Sequence, residues 1–136
     1  MQKIEILKHQ IDQHKVIFFD VFDTLIKRTV PKGTDVFRLV EMRYNKIFNT
    51  KCQFFQKRLI AEKKARAKGK YREVNFDEIY DFFDADSETN NIFKSMEIEA
   101  EFDVCVANQP LYQIFQYCLA QHKRIVQCIG RQCLLR

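Results

Sequence analysis

The chain has 136 residues and a mass of 16.4 kDa, which fits one domain or a core domain carrying a small insertion. Apolar residues at 46% exclude a disordered chain, and three glycines with two prolines exclude a turn-rich all-β sandwich or a collagen-like repeat. The net charge of +5 conceals a segregation: Lys51 to Arg72 hold nine Lys/Arg against one acid, Glu62, whereas Glu73 to Asp103 hold eleven acids against one base, Lys94. Two helices whose faces attract each other would carry that pattern. A nucleic-acid patch would carry the basic half, but the acidic neighbour repels phosphate and disfavours it.

In chain order, residues 3–13 place Ile4, Leu7 and Ile11 at helical spacing and predict a short amphipathic helix. Residues 15–22 predict a buried strand, because Val16-Ile17-Phe18-Phe19 run apolar without alternation until Asp20. Thr29 to Thr34 reads as a loop, with Thr34 or Asp35 as the N-cap of a helix over 35–48 striped by Val36, Leu39, Val40, Tyr44 and Ile47. Residues 52–68 favour helix, with Gly69 as its stop. Asn75 caps a short helix from Phe76 to Phe83, Asp84 to Glu88 is a polar connection, and another helix covers 89–103. Asn108 caps a helix through Leu111, Ile114, Phe115, Cys118 and Leu119, and Lys123 to Ile129 predicts a second strand.

Two buried strands joined through helices point to a parallel sheet in an α/β fold. About a hundred residues separate the strands, where a crossover needs about a dozen. The expected organisation is therefore an α/β core over 1–34 and 105–136, with a helical module at 35–104 inserted between the first strand and its partner unit. The strand at 123–129 should pair in parallel with the strand at 16–22.

The five cysteines form no C-x-x-C pair, and His9, His14 and His122 have no cysteine at zinc-site spacing. The cysteines are expected as buried small apolar groups, and Phe54, Phe55, Phe82, Phe83 and Phe93 as core. The opening Met1 to Glu5 lacks the apolar stretch of a signal peptide, and no apolar run is long enough to span a membrane. The expected location is the cytosol, with no membrane partner.

The segment richest in chemistry is Phe18-Phe19-Asp20-Val21-Phe22-Asp23-Thr24-Leu25. An acid at the carboxyl end of a parallel strand sits where α/β sheets place ligands. A second acid three residues on, then a hydroxyl, makes an oxygen-rich turn of the kind that suits magnesium, and a carboxylate there can act as a nucleophile. The same residues also fit a plain Asx-type turn at a strand end. Spacing alone leaves both readings open.

These residues resemble motif I of the haloacid dehalogenase (HAD) superfamily, an apolar strand followed by Asp-x-x-x-Thr-Leu. Phe19-Asp20-Val21-Phe22-Asp23-Thr24-Leu25-Ile26-Lys27-Arg28 with Asp35-Val36-Phe37 is similar to a bacterial HAD subgroup whose members often accompany glycosyltransferases or surface-glycan genes. Arg58 to Arg66 and Phe76-Asp77-Glu78-Ile79-Tyr80 are similar to the same subgroup. The resemblance implies an incomplete HAD-like Rossmannoid sheet with a helical cap, and a hydrolase, in particular a Mg2+-dependent phosphatase acting through an aspartyl-phosphate. It implies Asp20 as nucleophile, Asp20 and the Phe22 carbonyl as Mg2+ ligands, and Thr24 as the residue that orients the loop. It implies in the same way a small phosphorylated substrate and an association with glycan-synthesis proteins.

Two departures from the family pattern stand out. The common HAD phosphatase carries a second Asp two residues after the nucleophile as general acid/base. Here Phe22 holds that position and cannot transfer a proton, so Asp23, one residue later, is the candidate substitute. The second motif, a strand ending in Ser or Thr, should fall at about 123–129. The chain continues from there as Gly130-Arg131-Gln132-Cys133-Leu134-Leu135-Arg136, without Ser, Thr or Asp. The chain is thus expected to be cut off near that motif and to lack motifs II to IV, with weak or absent turnover. A non-catalytic remnant or helical interaction module is the alternative reading. Arg28, Arg58 and Arg66 are candidate contacts to an anionic substrate. Arg58, Glu62 and Arg66, at i, i+4 and i+8, equally fit a ladder of intrahelical ion pairs, and Arg28 equally fits a surface arginine.

Overall fold

The structure is a computed structural model that describes residues 2–70, 72–129 and 132–135. Its elements are α1 (Gln2–Asp12), β1 (Val16–Asp20), β2 (Ile26–Arg28), α2 (Asp35–Phe48), α3 (Phe54–Gly69), α4 (Phe76–Tyr80), α5 (Ser87–Val104), β3 (Cys105–Ala107), α6 (Gln109–Ala120), β4 (Arg124–Ile129) and β5 (Gln132–Leu135). The fold is mixed α/β. It divides into two compact units, Met1–Arg28 with Cys105–Arg136, and Thr29–Val104. Among the described residues no helix is long and apolar enough to cross a membrane.

In the first unit β1 and β4 pair in parallel, from Val16 opposite Arg124 to Asp20 opposite Cys128, as the strand-helix-strand order predicts. β5 continues the sheet antiparallel to β4, giving the order β1-β4-β5. Phe19, Ile125, Ile11, Ile114 and Cys118 form the core, so α1 and α6 serve one face of the sheet. The two helices are tied by Tyr117 Oη donating to Asp12 Oδ1 at 2.8 Å.

That one-sided packing corrects the reading of β1 as buried throughout. Phe19 is 6% exposed and Phe18 is 66% exposed, because successive side chains point to opposite faces and the helices cover only one. The strand also stops at Asp20 rather than at residue 22. Gly130, Arg131 and Arg136, part of the stretch where the family's second motif is expected, lie outside the described residues.

The second unit is helical. Phe54, Phe93, Val36 and Val40 are fully or almost fully buried, and Phe54 packs against Phe93 and Phe83 with ring centroids 4.7 and 5.4 Å apart. Phe55 and Phe82, also expected in the core, are only half-buried. Of the cysteines whose side chains are described, Cys118 is buried, whereas Cys52, Cys105 and Cys128 are half-buried.

Local signals set the helix ends with mixed fidelity. Asn75 makes a full capping box with Glu78: each side chain accepts from the other residue's backbone N–H, at 2.8 and 2.9 Å. Thr34 is the N-cap of α2 but makes no side-chain cap bond; Asp35 Oδ2 instead accepts from Lys32 N at 2.8 Å. α3 runs through Gly69, and Lys70 takes the positive φ of 51°.

The charge segregation becomes ion pairing within this unit. Arg58 meets Glu97, Arg66 reaches Glu73 at 3.8 Å, and Arg72 pairs with Glu78, each joining the basic segment to the acidic one.

Candidate functional site

Asp20 is the last residue of β1, and its side chain is exposed. The ladder runs one step further, with Val21 N donating to Cys128 O at 3.1 Å. The chain then folds back on itself: Ile26 N donates to Val21 O at 2.9 Å and Thr24 N to the same oxygen at 3.4 Å. Between them Asp23 takes φ 60°, a left-handed conformation that Asp adopts more readily than most residues. The turn brings the Thr24 hydroxyl to Asp20, where Oγ1 donates to Oδ2 at 3.1 Å. One carboxylate oxygen is thereby held and oriented.

The turn is also clamped from outside. Asn108, at the start of α6, donates from Nδ2 to Thr24 O and from its backbone N to Leu25 O, both at 2.8 Å. The short antiparallel pair β2–β3, with Ile26 opposite Ala107 and Arg28 opposite Cys105, closes the base. Asn108 was legible only as a helix cap. It is the N-cap of α6 but makes no side-chain cap bond, because its amide serves the turn instead. Its signal in the sequence, Asn108-Gln109-Pro110 opening a helix, is the same whether the side chain bonds its own helix or a distant loop.

Phe22 and Arg28 meet at this turn, with the guanidinium 4.8 Å from the ring centroid. Phe22 is 38% exposed and presents an aromatic surface to solvent. Asp20, Phe22, Thr24 and Arg28 are thus gathered at one end of the small sheet, with Asp23 at the apex of the turn.

Arg58 and Arg66 lie in the helical unit, and both engage carboxylates. Arg58 is 5% exposed, with its guanidinium on Glu97 and Glu62. That burial gives it a place in the core instead of a surface from which to meet a substrate. Arg66 is exposed but bonds Glu62 Oε1 through Nε at 2.9 Å and Nη2 at 2.7 Å. Burial works to raise the Glu62 pKa, but the bonds from Arg66 and Arg58 outweigh it and hold the carboxyl below its ordinary range. The ion-pair ladder Arg58–Glu62–Arg66 is therefore present as its spacing suggests.

The donors at the turn that could hold a metal are all oxygen: the Asp20 carboxylate, the Phe22 carbonyl and the Asp23 carboxylate. Among the described residues no group of three His, Cys, Asp or Glu gathers at one point. Hard oxygen donors of this kind suit Mg2+, which keeps several waters and takes one or two carboxylates with the rest from phosphate. No protein-family model matches the chain, and no curated protein matches it.

Proposed function

We propose that the chain is a HAD-type hydrolase unit in which Asp20 accepts a phosphoryl group from a small phosphorylated substrate. The observation that carries the reading is the strand-end carboxylate itself. Asp20 is exposed at the carboxyl end of a parallel strand, with one oxygen held by Thr24 and the turn behind it held by Asn108. A nucleophile fixed in this way needs no reorganisation before attack. The second oxygen of Asp20 is the attacking atom: it forms a bond to phosphorus while the substrate's leaving oxygen departs with the electron pair of the broken bond.

Mg2+, when bound by Asp20 and the Phe22 carbonyl, would neutralise charge on the phosphoryl oxygens. Arg28, whose guanidinium lies 4.8 Å from the Phe22 ring centroid, is the proposed second contact to the anionic substrate. Water then hydrolyses the aspartyl-phosphate. That step needs a base to take the water's proton, and Phe22 cannot supply one. Asp23 is the proposed acid/base, acting from a turn position instead of the usual one. The mismatch favours substrates whose leaving group needs no proton, and it makes the second step slow.

The test is hydrolysis of an activated phosphomonoester with Mg2+, comparing the chain with Asp20→Asn and Asp23→Asn. We expect low turnover that Asp20→Asn abolishes, and phosphate trapped on Asp20, detectable by mass spectrometry, that accumulates further in Asp23→Asn. Equal hydrolysis by the chain and Asp20→Asn, with no phosphate on Asp20, would sink the reading. It would favour the alternative, a non-catalytic helical interaction module. Association with glycan-synthesis proteins is part of the same proposal, supported only by the resemblance of Phe19 to Arg28 with Asp35 to Phe37, of Arg58 to Arg66 and of Phe76 to Tyr80 to that HAD subgroup.

A further inference from the structure

The helical unit presents two exposed helix faces of opposite chemistry. On α3, Phe54, Arg58, Ala61 and Ala65 face the core, so the residues half a turn away face solvent. There Ile60, 51% exposed, and Ala67 form an apolar midline, with Lys63 and Lys64 exposed on either side of it. Neither lysine has an acidic partner among the described residues. Lys57 and Lys68 lie on the flank of α3 nearer the core; the first bonds Asp84 O at 3.1 Å and the second lies 5.6 Å from the Phe82 ring centroid.

On α5 the outward face is built the same way with the charge reversed. Ile98 and Phe102, one turn apart, are 51% and 79% exposed. Glu99 and Glu101 flank them on opposite sides. With Phe76 and Glu97, the residues Ile98, Glu101 and Phe102 line an open groove of about 240 Å³. An apolar centre with a charged rim is the anatomy of a protein interface. A large aromatic left mostly in water is an unfavourable surface unless something covers it.

We propose that the occupant of this groove is a second copy of the chain, which seats the Ile60 face of its α3 on the Ile98–Phe102 face of α5. The fit rests on complementarity of both parts. Ile60 and Ala67 meet Ile98 and Phe102, while Lys63 and Lys64 meet the exposed Glu99. The two surfaces differ, so the contact is head-to-tail: each copy offers one basic face and one acidic face. The proposal stands independently of the chemistry assigned to Asp20.

The test is sedimentation velocity on the full chain over a series of protein and salt concentrations. The expected result is a 16.4 kDa species at high dilution that gives way to larger species as concentration rises, less so at high salt. Lys63→Glu/Lys64→Glu removes the basic face, and Phe102→Ser removes the apolar centre of the other. Each variant alone should associate at least about tenfold more weakly. Each keeps the face the other lacks, so an equimolar mixture should recover a heterodimer. All substituted positions are exposed, and far-UV circular dichroism checks that the helices persist. A chain that stays monomeric throughout, or association that survives both variants, overturns the proposal. So does a Lys63→Glu/Lys64→Glu chain that loses salt-sensitive binding to duplex DNA with no change in mass, which would assign the basic face to nucleic acid.

Discussion

Arg58 and Glu97 meet inside the aromatic core of the helical unit through three N–H···O bonds of 2.9 to 3.1 Å. Tyr80 donates its hydroxyl to the same carboxylate at 2.6 Å, and Phe37 lies under the guanidinium at 4.5 Å. Burial opposes the charge on Arg58, but the hydrogen bonds and attraction of Glu97 and Glu62 outweigh it and raise the arginine's pKa. Burial, reinforced by the Glu97 charge, pushes the Tyr80 hydroxyl far up, so it stays a proton donor to Glu97.

Breaking one partner of such a pair leaves a buried charge without compensation. Glu97→Gln should destabilise the helical unit by about 3 kcal/mol, read from the urea midpoint of the helical circular dichroism signal. Replacing the whole group with apolar side chains, Arg58→Met/Glu97→Leu/Tyr80→Phe, should lose less than Glu97→Gln alone, because no polar group is then stranded. A triple variant less stable than the single one would show that the pair contributes net stability.

Asn108 gives a second prediction. Asn108→Asp keeps the size but removes the Nδ2–H donor and puts a carboxylate against the Thr24 carbonyl. The turn should loosen at a cost of about 1 kcal/mol, seen as faster amide exchange at Thr24 and Ile26 with helical content unchanged. Unchanged exchange at those amides would mean that β2 and β3 hold the turn without Asn108.

Asp23 tests the turn's backbone. Its φ of 60° is open to Gly and strained for a β-branched side chain. Asp23→Gly should leave the thermal midpoint unchanged or raise it, and Asp23→Val should destabilise by about 1–2 kcal/mol. The reverse order would place the turn in another conformation.

Part of the acid dependence should trace to Glu78, beside the likewise depressed Glu62 and Asp86. The Glu78 carboxyl is held at about 2, against an ordinary 4.5, chiefly by the Arg72 guanidinium and then by the Asn75 N–H. A depressed carboxylate contributes stability that is fully present above 4.5 and is lost as pH falls through about 2. Glu78→Gln keeps an acceptor for the capping box but does not titrate. Its thermal midpoint should therefore fall less steeply with pH across that window, and identical slopes would remove Glu78 as a cause.

The long elements were legible because periodicity and apolar runs persist over many residues, as in α2, α5 and β4. β2 and β3 were not, since three-residue strands such as Ile26–Arg28 and Cys105–Ala107 have no period to detect. They form through the partner each finds in the other. The helical spacing of Arg58, Glu62 and Arg66 indicated one face but not which way it points. The neighbours held the missing signal: Phe54, Ala61 and Ala65 share Arg58's side of α3, and small residues there let another helix approach. At the candidate site, Asp20 at a strand end and Thr24 beside it were readable from local sequence. The Asn108 clamp was not, because it depends on a contact across 84 positions.

That separation has a consequence for how the chain is made. Asn108 reaches Thr24 across 84 positions, Tyr117 reaches Asp12 across 105, and Lys123 reaches Asp12 across 111. On the ribosome, β1 emerges about a hundred residues before its sheet partner β4. The helical segment draws its contacts from nearer in sequence and can collapse first. During that interval the apolar run Val16-Ile17-Phe18-Phe19 is exposed and unpaired, the condition under which nascent chains attract chaperones or stick to one another. The strand that presents Asp20 is thus also the segment that waits longest for the partner that pairs it.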